Sequence, residues 1–505
     1  MLPLGRKPAA AGSEVASDRF WLRPVSRGRN KGRAVVVLDG NAEMDFAAPF
    51  LQPHGRMAAC SEPVSPLNQI AADTFAIEPP PTTTPLPIPV GASPSETFAA
   101  VTARFTQVLA SSGVPGGALA VVHNGKLAFS AGVGKKRRDG DAPVTARTLF
   151  RVGSMSKMVT AAAVLRLAEQ GRLRLSDDIV QYLPSLTRGP GYDAAQLTIE
   201  MALTHTTGLP DDGLSRCGVG PAALDEYFRT HGSDPLWAPP GRLFNYSNTG
   251  YSALSGVVAA ASGQSFEDAV ATLVFQPAHM DSATFSPSQA LAADHSFGHP
   301  TSGAIQDVDA YDCQYLRGPG GVFASVEDYA HLAEALISGS LLRPDMNAAA
   351  TTQRVPTGSQ WGYGYGLFTG SFHGMRIFHH GGNVEDFASS MLVAPEQGFA
   401  IVAIVNAAGR TASDSAWIGP AIDAFLSTKR QPSDDSRTDP LTWSKYAGRY
   451  VGSAGRLGTL QVRWQPEGLT LHGPLPGVPS ITFFFDENGR AEYLATRAGV
   501  AKRVD

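Results

Sequence analysis

The chain has 505 residues, with 41 Lys and Arg against 45 Asp and Glu for a formal charge of −4, and 43% hydrophobic residues. That length supports a large core and more than one domain, and the composition fits a globular rather than a disordered chain. The near-neutral balance gives no electrostatic bias toward nucleic acid, and no run of 18 or more apolar residues predicts a transmembrane segment.

Residues 1–94 read as an extension. Its first third carries Arg19, Arg23, Arg27, Arg29, Lys31 and Arg33 without helical or strand period, which predicts a disordered basic tail. Pro79, Pro80, Pro81, Pro85, Pro87 and Pro89 then predict a stiff linker. The longest apolar run near the start, 34–38, is too short for a signal peptide's core. A folded region is predicted over 95–430. Ser93 with Glu96 fits a capping box, with Pro94 at the first helical position, and Phe98, Val101, Phe105, Val108 and Leu109 form one apolar face. A β-hairpin follows, 118–122 and 127–131 about an Asn124-Gly125 turn. Residues 159–167 are apolar nearly all round, as in a buried helix, and the middle of the chain to about 350 is helical pattern broken by loops. Strands are predicted at 375–378, 388–393 and 399–406, then a helix at 416–426. Hairpins from both chain ends around a helical insertion predict an α+β fold: one antiparallel sheet flanked by helices, with a helical subdomain. From 440 to 505, short strand patterns and Gly-rich turns predict a small β accessory module.

Three clusters carry chemistry. In Ser154-Met155-Ser156-Lys157 the amine lies three residues beyond the hydroxyl, on the same helical face, at the positive end of a helix dipole. A serine hydroxyl needs a base, and a lysine serves only where burial lowers its pKa, by ~3–5 units for a fully buried amine. With nine lysines in the chain, this is the only Ser-x-x-Lys; an incidental surface pair is the competing reading. Tyr246-Ser247-Asn248 is the only Tyr-x-Asn; a phenol there can relay a proton and the amide can orient the lysine, although an isolated match is ordinarily a loop tyrosine beside a capping residue. His380-Gly381-Gly382 follows a predicted strand, where glycine lets the backbone approach a ligand and strand N–H groups can hold an oxyanion. His379 and His380 are adjacent, so they face opposite sides of a strand and do not share a metal. No Gly-x-Ser-x-Gly elbow occurs. Cys60, Cys217 and Cys313 form no zinc spacing, and Cys217 with Cys313 is open to pairing or to two free thiols.

The three motifs in this order, with TLFRVGSMSK (148–157), LTIEMALTHTTGLP (197–210), GPGGVFASVEDYAHL (318–332), WGYGYGL (361–367) and HHGGNVEDFASSMLVAPEQG (379–398), make the chain resemble the class C β-lactamase-like branch of the serine β-lactamase and penicillin-binding-protein superfamily. That branch includes D-aminopeptidases, DD-carboxypeptidases and family VIII esterases. The resemblance implies an acyl-enzyme on Ser154, acid/base work by Lys157 and Tyr246, and hydrogen bonding by Asn248. It places His380 and Gly382 in the third motif, with the N–H groups of Ser154 and Asn383 as the oxyanion hole. No cofactor and no metal are expected, and the substrate is expected to be a small molecule or peptide; the resemblance favours a periplasmic or secreted location, with no signal peptide visible, and the oligomeric state stays open. Amide, β-lactam and ester substrates all remain possible, and a non-catalytic sensor or scaffold is the alternative. Two departures stand out: His380 where potent class C enzymes carry lysine, and Asp386 where glycine is usual.

Overall fold

The computed structural model describes residues 20–24, 33–38 and most of 93–505, the larger omissions being 188–195, 427–445 and 473–479. The Pro-rich linker, Cys60 and Cys217, and the boundary between the hydrolase region and the C-terminal module lie outside the described residues; Cys313 is a free, buried thiol.

An eight-stranded antiparallel sheet organises the central region. Its spatial order is Lys126–Gly134, Gly116–His123, Phe399–Val405, Phe387–Ala394, Met375–Val384, Phe368–Phe372, Gly362–Tyr363 and Val355–Pro356. The hairpin near the N-terminus thus closes against strands formed some 280 residues later. Asn124 (φ 54°) and Gly125 (φ 73°) both adopt the left-handed conformation that a two-residue type I′ turn demands. Both faces of the sheet are covered. Ala118, Ala120 and Val122 pack on one side with helix Val326–Ser338, in one core with the buried helix Ser156–Glu169, while Leu119 and Val121 pack on the other with helices Pro94–Ser111 and Ser415–Leu426. The period-2 alternation therefore separates two cores rather than core from water.

Helix Pro94–Ser111 begins as the sequence predicts: the Ser93 side chain accepts from the Glu96 N–H, and the Glu96 carboxylate accepts from the Ser93 N–H at 2.9 Å. The helical subdomain is built around Ser156–Glu169 and Asn248–Ser262, which pack directly on each other. Both are buried on nearly all sides, which explains why neither shows a strong amphipathic period.

The C-terminal strands do not stand alone. Gly448–Gly452, Thr459–Gln465, Gly468–His472, Ser480–Phe485, Ala491–Thr496 and Gly499–Arg503 form a closed eight-stranded barrel with Phe20–Pro24 and Arg33–Leu38. Residues 33–37 pair with 480–484 and residues 20–22 with 469–471. This corrects the expectation of a basic extension without strands: two of its segments are strands. The sequence concealed them because the basic residues and the strand runs overlap, and because, apart from their pairing with each other (22–24 with 36–38), their partners lie more than 400 residues away.

The barrel meets the rest of the chain through Phe484, Tyr493, Ala495 and Val500, which bury Ala238 and Leu243. An ion pair between Arg242 and Glu492, 2.8 Å apart, borders that contact.

Candidate active site

Ser154 lies in a single 3-10 turn, Gly153–Met155, that runs into helix Ser156–Glu169. The helix start places Lys157 one turn on, with its Nζ 3.1 Å from the Ser154 Oγ. Lys157 is fully buried. Its Nζ donates to Asn248 Oδ1 at 2.7 Å and to the Pro319 carbonyl at 3.0 Å, and it lies 4.7 Å from the centroid of the Tyr246 ring. The expected convergence of Ser154, Lys157, Tyr246 and Asn248 is therefore present.

The same helix holds the Pro319 carbonyl in place. The Ser156 Oγ donates to the Gly153 carbonyl at 2.8 Å and accepts from the Val322 N–H at 3.1 Å, and Thr160 donates to the Gly318 carbonyl at 2.7 Å. Residues 318–322 are thus tied down on both sides of Pro319.

Tyr246 and Asn248 flank the start of helix Asn248–Ser262. Ser247 is its N-cap, accepting from the Gly250 N–H at 3.1 Å, which turns the preceding tyrosine out of the helix. Asp211 accepts from the Asn248 N–H at 2.8 Å. His205, in the left-handed conformation (φ 57°), staples the segment from behind. Its carbonyl accepts from the Asn245 N–H at 2.7 Å, its Nδ1 accepts from the Ser247 N–H at 3.0 Å, and its ring stacks on Tyr246 at 4.1 Å.

The third element is the strand Met375–Val384, longer than predicted, so His380, Gly382 and Asn383 are strand residues. It runs directly against the nucleophile turn. A methyl group at Gly382 would collide with the Val152 carbonyl and fall 3.0 Å from the Ser154 N; one at Gly153 would fall 2.8 Å from the Asn383 N. Both glycines are thus required for the backbones of Ser154 and Asn383 to come together. Ser389 on the next strand donates to the Val152 carbonyl at 2.7 Å and fixes the contact. Asp386 sits buried in the turn after this strand, its side chain against Gly298.

His379 and His380 do face different surroundings. His379 packs edge-on to Trp361 and stacked on Phe368, and burial pushes its pKa down to about 3. His380 is buried toward Tyr246, and its Nε2 lies 3.3 Å from the Tyr363 hydroxyl. Among the described residues no group of three or more His, Cys, Asp or Glu is placed to hold a metal, and no helix is long and apolar enough to cross a membrane.

Sequence reasoning missed four contributors: the Pro319 carbonyl, Asp211, His205 and Tyr363. Each lies in or beside a stretch that carries the family resemblance (318–332, 197–210, 361–367), but the roles depend on backbone groups or buried contacts that residue type does not announce.

An antiparallel sheet flanked by helices, with a serine–lysine pair at its junction with a helical subdomain, defines the serine hydrolase superfamily of β-lactamases and penicillin-binding proteins. The chain belongs to the Beta-lactamase family, whose model matches residues 101–422. Among curated relatives, Protein flp of Staphylococcus aureus (strain N315) is 26% identical over 301 residues, 58% of this chain and 60% of that protein. Penicillin-binding protein 4 of Amycolatopsis lactamdurans is 26% identical over 325 residues, 60% of this chain and 84% of that one. The match therefore spans less than two thirds of Protein flp. Among solved structures, the octameric penicillin-binding protein homologue from Pyrococcus abyssi aligns with a TM-score of 0.59 at 21% identity, covering 80% of this chain and 99% of its own. The penicillin-binding protein from Bacillus halodurans aligns with a TM-score of 0.54 at 24% identity, covering 61% and 96%. These structural likenesses speak for the fold.

Proposed function

We propose that this protein is a serine acyl hydrolase that forms a covalent acyl-enzyme on Ser154 and cleaves an amide or ester bond. The observation that carries the reading is the environment of the Lys157 amine. Two of its partners, the Pro319 carbonyl and Asn248 Oδ1, can only accept hydrogen bonds. A neutral amine that donates its two hydrogens to them has its lone pair left for the Ser154 hydroxyl 3.1 Å away. Burial removes the water that would otherwise stabilise an ammonium, which is the condition for an amine to act as a base.

In the proposed reaction the Ser154 proton passes to Lys157 as Oγ bonds to the substrate carbonyl carbon. The carbonyl electrons move onto oxygen, where the N–H groups of Ser154 and Asn383 hold the oxyanion. Collapse breaks the bond to the leaving group, which takes a proton by way of Tyr246 from the lysine. Water then attacks the acyl carbon and gives a proton to the same pair; the acyl C–Oγ bond breaks, Ser154 Oγ takes that proton back, and the acid leaves with the neutral amine restored. An oxyanion donor of this kind contributes ~2.7–4 kcal/mol to the transition state and acid/base assistance ~10²–10⁴-fold, and the two do not add as independent terms.

The test is turnover of p-nitrophenyl acetate and nitrocefin, with labelling by a fluorophosphonate. Ser154→Ala is expected to lower kcat by ~10⁴-fold or more and to abolish labelling, with an unchanged circular dichroism spectrum. Lys157→Ala is expected to cost nearly as much. A burst of one equivalent with no further turnover would identify the non-catalytic sensor instead, and undiminished turnover by Ser154→Ala would refute the nucleophile.

A further inference from the structure

The third-motif histidine is wired to the back of the Tyr246 segment by a chain of buried hydrogen bonds whose direction can be read from one end. The Ser247 N–H is a donor, so the His205 Nδ1 that receives it carries no hydrogen. His205 is then the neutral tautomer with its hydrogen on Nε2, and this nitrogen faces the Tyr363 hydroxyl at 3.2 Å. The Tyr363 oxygen accepts from His205, and its own hydrogen is available to the His380 Nε2 at 3.3 Å. At the far end the His380 Nδ1 lies 2.5 Å from the Gly381 carbonyl, which can only accept, so the remaining ring hydrogen sits there. His205, Ser247, Tyr363 and His380 are all fully buried.

We propose that this relay holds His380 as an uncharged imidazole with both nitrogens committed inside the protein, so that the site selects acyl substrates without an anionic group near the scissile bond: neutral carboxylic esters and amides. The inference rests on the acyl-hydrolase reading and narrows its substrate class.

The surroundings favour the neutral form. A protonated His380 would turn the Tyr363 hydrogen away from an imidazole nitrogen toward the Tyr251 hydroxyl, which lies beside it and itself donates to the Leu203 carbonyl. A phenol oxygen is the weaker acceptor. The new charge would also stand near the Lys157 amine, since both border the Tyr246 ring, His380 6.3 Å and Nζ 4.7 Å from its centroid. The other rings against His380 are those of Tyr363 and Phe368, at 6.2 and 5.3 Å. Placing a cation in this buried, aromatic setting is costly. A site whose third-motif group is neutral has no charge there to repay the desolvation of a substrate carboxylate.

Two matched ester pairs test this, with rates corrected for the intrinsic hydroxide-catalysed reactivity of each. One pair is p-nitrophenyl butyrate and mono-p-nitrophenyl succinate, with the charge on the acyl side. The other is phenyl acetate and meta-carboxyphenyl acetate, with the charge on the leaving group. The neutral member of each pair is expected to have a kcat/KM at least about tenfold higher, with His380→Lys narrowing or reversing the ratio. Tyr363→Phe removes the hydrogen donated to Nε2. Its neutral-to-anionic ratio is expected to fall as pH is lowered from 8 to 5.5, whereas the wild-type ratio stays flat; a purely structural role for Tyr363 would lower both substrates together at every pH. Turnover with the anionic member preferred, or a Tyr363→Phe ratio that does not move with pH, overturns the inference while leaving the hydrolase reading standing. Failure to hydrolyse any of the four esters while nitrocefin is turned over overturns the inference alone; failure on the esters and on nitrocefin removes the hydrolase reading, and this inference with it.

Discussion

Gly382 shows how little room the site leaves at its centre. Its missing side chain lets the strand Met375–Val384 lie on the turn that carries Ser154, with Val152 and Ser389 closing the gap. Gly382→Ala forces the strand and the turn apart, and with them the N–H groups of Ser154 and Asn383. Acylation by p-nitrophenyl acetate is expected to slow by ~10²–10³-fold, the loss typical of one oxyanion donor, while the unfolding midpoint moves far less. Single-turnover kinetics and a urea titration on the same variant separate the two effects. His379, next to His380 in sequence, has a different effect. Its pKa is held at about 3 in the folded chain by burial, against ~6.5 when unfolded. The unfolded state therefore binds the extra proton between those values, and stability falls as pH drops from 6.5 toward 3, by up to ~1.4 kcal/mol per pH unit. His379→Phe keeps a ring between Trp361 and Phe368 and removes this proton uptake. Urea unfolding at pH 7 and pH 4.5 should show a smaller loss for the variant than for the wild type; equal losses would assign the acid sensitivity elsewhere.

At the scale of elements, the sheet depends on helices that arrive from distant parts of the chain. Helix Pro94–Ser111 puts Phe105 against Trp417 of helix Ser415–Leu426, ring centroids 4.8 Å apart and both side chains fully buried. Phe105→Ala is expected to cost ~3–5 kcal/mol by leaving a cavity beneath the strand Phe399–Val405, measured by chemical denaturation. Its effect on kcat should be small, because its neighbours Trp417 and Gly117 are not among the groups that contact Ser154 and Lys157. These elements were legible from sequence. The capping box, the Asn-Gly turn and the all-round apolar helix are local signals, and local propensity and tertiary packing agree on them. The length of the third-motif strand was not legible, since Gly381 and Gly382 read as a strand end. What keeps them in the strand is pairing with Ser390 and Ser389 on the neighbouring strand.

Across the whole molecule the barrel is the least expected feature. It takes two strands from the first forty residues and six from the last sixty, and it buries Leu243 three residues before Tyr246. A chain beginning at residue 95 loses Phe20–Pro24 and Arg33–Leu38. The strands Gly468–His472 and Ser480–Phe485 then each present an open edge. Such a truncation is expected to expose 440–505 to limited trypsin digestion and to self-associate in light scattering, while the full chain does neither. Equal behaviour of the two would show that the barrel does not need its N-terminal strands.

By itself the amino-acid sequence determined the α+β class, the central helices and hairpins, and the identities of Ser154, Lys157, Tyr246, Asn248 and His380 as the groups worth watching. It could do so because hydrophobic period, caps and turns are short-range, and because reactive side chains announce their chemistry by type. Only the tertiary structure decided that the lysine amine is buried between Pro319 and Asn248, that His205 and Tyr363 reach the third motif, and that the first and last strands of the chain share one barrel. Those are matters of which backbone carbonyls and distant rings come within 3 to 4 Å of each other, and no spacing along the chain records that.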